Sequence, residues 1–141
     1  MPITIDGTGS ITGLSAGGLP NGCITAPELD GAQSGSAPIY GARAWVCFNG
    51  TGVVAISASG NVTSVTDNGT GQYTVNFTAA ISDANYATLA TCGDSVANYT
   101  VAFTSSNATP TTSAVRVQTV TQNGGNPTAF DTNRVSVAIF R

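Results

Sequence analysis

From Ala42 onward the chain alternates apolar and polar residues with a period of two, the spacing that lays successive side chains on opposite faces of a β-strand. The first run, Ala42 to Phe48, puts Ala42, Ala44, Val46 and Phe48 on one face and Arg43, Trp45 and Cys47 on the other. Being apolar on both faces, it predicts a central strand, with Trp45 either in the core or at a boundary with a second chain. Further runs are Val53 to Ser59, Val62 to Thr66, Gln72 to Thr78, Tyr86 to Cys92, Val96 to Thr104, Ala114 to Thr121 and Arg134 to Phe140. Tyr73, Val75 and Phe77 share one face of their run, opposite Thr74 and Asn76, which predicts one buried and one wet side.

Turn chemistry separates the runs: Gly50 and Gly52, then Gly60 with Asn61, then Asp67-Asn68-Gly69, then Ser82 to Asn85. Read locally, the first three strands form a meander. Ser105 to Ser113, with Pro110, and Gln122 to Asn133, where Phe130 is the large apolar residue, read as exposed loops. About eight short strands at roughly ten-residue spacing predict an all-β fold, an antiparallel sandwich or jelly-roll-like domain.

Before Tyr40 the pattern differs. Ile3 and Ile5 alternate with Thr4 and Asp6 as an edge strand would, and Gly7 to Thr25 then spreads Ile11, Leu14, Leu19 and Ile24 through glycine-rich sequence. Such a segment is too glycine-rich for a stable helix and too open to bury these residues itself. Thr25, Pro27, Glu28 and Leu29 resemble a short capped helix start, and Gly31 to Ala37 reads as a linker. The expected organisation is an extended attachment arm and linker over residues 1–37 and a β-sandwich over 38–141. Ile3, Ile5, Ile11, Leu14, Leu19, Ile24 and Leu29 are the expected docking contacts of the arm.

Composition changes this picture in two ways. Only 8% of the 141 residues are charged and the formal net charge is −3. Arg43, Arg116, Arg134 and Arg141 are too few and too scattered to neutralise nucleic-acid phosphates, so a nucleic-acid partner is not expected. Outer faces made of threonine, serine and asparagine also lack the charges that usually protect sheet edges, so the edges are expected to be covered by other copies. No apolar run is long enough to cross a bilayer, and Met1 to Asp30 lacks a signal-peptide pattern.

The absence of histidine removes imidazole-based catalysis and the usual zinc hydrolase site. A pair of acids among Asp67, Asp83, Asp94 and Asp131 would suffice for a glycosidase, but each sits beside turn residues where an Asx turn accounts for it. Cys23, Cys47 and Cys92 have neither disulfide-framework nor metal-ligand spacing, although a Cys47–Cys92 bridge stays open at this level. Asn-x-Ser/Thr triplets at Asn49, Asn61, Asn68, Asn76, Asn98 and Asn107 are what a chain rich in Asn and Thr produces by chance. The expectation is a non-enzyme without cofactor or metal.

The opening IDGTGSITGLSAGGLPNGCIT and the run from Ala37 to Gly93 together resemble tail-fibre and minor structural proteins of tailed bacteriophages. The resemblance implies a virion component, trimeric, whose arm holds it to other virion proteins while the β-domain projects outward. It implies a short tail fibre or receptor-binding protein, with a capsid decoration protein as the alternative. A host-surface glycan or protein would then meet the two long loops, with Tyr99 and Phe130 as receptor-loop candidates and Trp45 as the subunit-interface candidate.

Overall fold

The structure, a computed structural model, describes residues 41–93, 99–123 and 125–141. The arm, its seven apolar contacts and the linker lie outside the described residues, as does Asp94. Nine antiparallel strands make up the described fold, with no helix among the described residues. They are β1 (Ala42–Asn49), β2 (Ala55–Gly60), β3 (Val62–Asp67), β4 (Gln72–Phe77), β5 (Ala87–Gly93), β6 (Tyr99–Thr104), β7 (Ala114–Asn123), β8 (Asn126–Ala129) and β9 (Arg134–Phe140). Sheet A has the order β2-β1-β9-β5, and sheet B the order β3-β4-β7-β6 with β8 paired to the far half of β7.

Both sheets contribute to one hydrophobic core, an arrangement consistent with a sandwich. Ala44, Val46 and Phe48 from β1 and Val135, Val137 and Ile139 from β9 are buried together with Tyr73, Val75 and Phe77 from β4 and Val115 and Val117 from β7. These are the alternate positions of each strand, so the period of two in the sequence corresponds to one buried face per strand. Phe48 meets the ring of Tyr73 edge-on, with centroids 5.1 Å apart and planes at 69°, a favoured aromatic geometry. The inward residues of β5, Thr88, Ala90 and Cys92, are small and only half-buried, as suits the border of a core.

All eight strand runs of the alternation pattern are present, and β8 is additional: the stretch read as a loop from Gln122 to Asn133 folds back on β7. The meander is corrected at one point. β2 pairs with β1 and β3 pairs with β4, but β2 and β3 lie in different sheets, so the Gly60-Asn61 step carries the chain from sheet A to sheet B. Asn61 makes this corner in the left-handed region at φ 55°, a conformation asparagine tolerates better than most residues. Its Oδ1 accepts from the Ala79 amide at 2.8 Å, and its Nδ2 lies 3.0 Å from the Arg43 carbonyl and 3.1 Å from that of Ala79. The side chain thus replaces the ladder bonds lost where the strand leaves one sheet for the other.

Candidate interaction surface

The outward face of sheet A is built in rows set by register. Trp45 stands between Gly60 and Ala138, and Ala138 in turn stands opposite Leu89. The next row is Ala58, Cys47, Ser136 and Thr91, and beyond it Arg134 faces Gly93. Large residues therefore flank small ones: Trp45 on β1 and Leu89 on β5 rise on either side of Ala138 and Ser136 on β9. The result is a trough of about 420 Å³ along β9, walled by Trp45 and Leu89 and reaching Thr91 and Arg134.

Trp45 is 44% exposed and Leu89 59% exposed, so neither belongs to the core. Of the two places that alternation left open for Trp45, the core is excluded, because the indole stands on the outer face of the sheet. The indole is held there by Gly60, whose missing side chain leaves the space the ring occupies; a Cβ at that position would run into Nε1 and Cδ1 of Trp45. Leu89 carried no signal of its own in the sequence. Its role follows from pairing with Ala138 across β5 and β9, which only the long-range register defines.

Exposed apolar side chains occur elsewhere as well. Val53 is 91% exposed before β2, and Val101 and Phe103 on β6 are 49% and 39% exposed. Strand β2 is an uncharged edge strand, Ala55-Ile56-Ser57-Ala58-Ser59-Gly60, exposed along almost its whole length. Such an edge presents unpaired backbone groups without a charge to discourage pairing.

The carboxylates are engaged one at a time. Asp67 accepts from the Gly69 amide at 2.8 Å in an Asx turn. Asp83 accepts from the Asn85 amide at 2.7 Å and from the Arg141 guanidinium at 3.0 Å, and Arg141 holds its carboxyl below the usual range. Asp131 accepts from the Gly71 amide at 2.6 Å and from the Tyr73 hydroxyl at 2.7 Å. Among the described residues no group of three or more His, Cys, Asp or Glu converges in a way that would hold a metal ion.

Gly71, Tyr73, Thr119, Phe130 and Asp131 form a polar knot that fixes the segment after β8. The Thr119 hydroxyl donates to the Phe130 carbonyl at 2.6 Å, and the Thr119 amide donates to the Gly71 carbonyl at 2.8 Å. Gly71 has φ 66°, and a side chain there would collide with the Thr119 carbonyl and the Phe130 amide. Burial and the neighbouring Asp131 push the Tyr73 hydroxyl well above its usual value. Phe130 is accordingly half-buried and tied down by its backbone, while Tyr99 is the first residue of β6 and its side chain lies outside the described set.

Loop 105–113 is also pinned. Ser113 and Thr112 carbonyls accept from the Phe77 and Ile81 amides, each at 2.8 Å, and the Tyr86 hydroxyl lies 2.9 Å from the Thr111 carbonyl. Cys47 and Cys92 are not joined to each other. They sit on strands flanking β9, about 10 Å apart by strand spacing and on opposite faces, with Cys47 outward beside Ser136 and Cys92 packed against the core. A bridge between them within one chain is thereby ruled out.

Comparison with protein-family models, with characterised proteins and with solved structures gave no match for this chain.

Proposed function

We propose that this chain is a receptor-binding structural component of a bacteriophage virion, a short tail fibre held by residues 1–37 that presents residues 38–141 toward the host as a jelly-roll-like sandwich in a homotrimer. The observation that carries the reading is the outer face of sheet A, where Trp45 and Leu89 stand exposed across a floor of small residues. Exposed large apolar groups around a depression that carries a single charge, Arg134, are a feature of interaction sites more than of inert surface. The separate local engagement of Asp67, Asp83 and Asp131 supports binding over catalysis.

The particle itself comes from the resemblance of Ile5 to Thr25 and of Ala37 to Gly93 to phage structural proteins. The trimer is assigned to uncharged edges such as β2, which pair readily with a neighbouring copy. Four measurements test the reading. Purified protein is expected to bind host cells and to compete with phage adsorption, and light scattering is expected to give three times the chain mass. Antibody labelling is expected at the tail; copies on the head lattice would replace this proposal with capsid decoration. Removing residues 1–30 is expected to leave a folded β-domain that no longer joins the particle.

A further inference from the structure

The trough along β9 has a definite size and one charge, and both restrict what it can hold. Strands β1 and β5, which carry its walls, are separated by β9 and so lie about 10 Å apart, and Arg134 to Ala138 spans about 13 Å at roughly 3.3 Å per residue. That footprint, on the order of 130 Å², is far below the roughly 800 Å² per partner of a standard protein interface. Its volume of about 420 Å³ falls within the range of small-ligand sites. A one-strand-wide trough open along its length suits an extended, narrow polymer.

The lining specifies the chemistry. The indole of Trp45 and the Leu89 side chain offer apolar walls, against which the C–H face of a sugar ring packs, and Ser136 and Thr91 bring hydroxyls that exchange hydrogen bonds with sugar hydroxyls. Arg134 is the charged residue of the lining and is exposed, and no acidic side chain among the described residues pairs with it. Gly93, its cross-strand neighbour, leaves space beside it, since no described residue lies within 4 Å of where a Cβ would stand. A guanidinium in this setting matches a carboxylate through two parallel hydrogen bonds.

We infer that the trough binds an acidic polysaccharide, with a sugar ring against Trp45 and a uronate-type carboxylate on Arg134. The inference rests on the receptor-binding reading above and names the chemical class of the receptor.

The test titrates the full chain with hexagalacturonate and, in parallel, with a neutral galactose hexamer, reading the fluorescence of Trp45, the single tryptophan, and the heat of binding. Saturable binding of the acidic oligomer alone is expected, with Arg134→Gln weakening it at least tenfold and Arg134→Lys retaining part of the affinity. Circular dichroism confirms that each variant is folded. Equal binding of both oligomers, no binding of either, or an unaffected Arg134→Gln variant overturns the inference. So does a Trp45→Ala variant that changes the oligomeric mass and leaves oligosaccharide binding intact, because the trough would then be a subunit contact. Protein that blocks phage adsorption yet ignores the acidic oligomer removes this inference and leaves the receptor-binding reading standing; the reverse result removes the receptor role and keeps the site.

Discussion

The Tyr73 hydroxyl on β4 donates to the Asp131 carboxylate over 2.7 Å, joining residues 58 apart in sequence. The hydroxyl has one hydrogen to give, and the charged acceptor takes it ahead of the Gly50 carbonyl at 3.1 Å. Tyr73→Phe is therefore expected to lower stability by about 1–3 kcal/mol, read as a lower urea midpoint at unchanged slope.

The same pair predicts a pH dependence. The folded state holds the Tyr73 proton more tightly than the unfolded chain does. Its contribution is thus complete below the unfolded tyrosine value of about 10 and is lost as pH rises beyond it. Stability of the natural chain is expected to fall more steeply between about pH 10 and 11 than that of Tyr73→Phe, measured by urea titration across that range.

Asn61 separates two contributions at the sheet-switching corner. Glycine there keeps the φ of 55° but loses the hydrogen bonds to Ala79 and Arg43, whereas alanine loses both. Asn61→Ala is expected to cost about 2–3 kcal/mol and Asn61→Gly about 1 kcal/mol less, by thermal or urea unfolding.

Gly60→Val places a branched side chain where the indole of Trp45 lies. The ring is expected to swing outward, shifting its fluorescence to longer wavelength and raising its accessibility to acrylamide. Because Trp45 stands outside the core, the urea midpoint is expected to move by less than about 1.5 kcal/mol equivalent. A large loss of stability would instead make the indole part of the packing that holds sheet A together.

Asp83 and Arg141 form a well-exposed ion pair. The carboxyl of Asp83, lowered first by Arg141 and then by the Asn85 amide, is expected to titrate by NMR below the ordinary aspartate range. Arg141→Gln should bring it most of the way back, and added salt should do so in part. The small stability it confers is present above about pH 4 and disappears as pH falls through the lowered value.

Strands were legible because alternation is a local signal: Tyr73, Val75 and Phe77 announce a buried face within six residues. Sheet membership was not. Gly60-Asn61 has the chemistry of a hairpin turn, and nothing within ten residues reveals that Asn61 instead bonds to Arg43 and Ala79 across the corner. Strand β8, Asn126-Pro-Thr-Ala, lacks apolar alternation and contains a proline, so it forms only because the outer half of β7 offers a free edge. The trough escaped for a similar reason. Trp45 stood out by its size, but Leu89, Ala138 and Arg134 become its neighbours only through pairings spanning some fifty to ninety residues.

Sheet A has a consequence for biosynthesis. Strand β9 occupies the centre of that sheet, between β1 and β5, yet it is made after the other eight described strands. Until Phe140 has left the ribosome, β1 and β5 have no partner to join them, and Val46 and Phe48 wait in water for Val137 and Val135. Nascent chains stalled before residue 134 are expected to be bound by chaperones and cleaved readily, and protease resistance should appear in a single step once β9 has been translated.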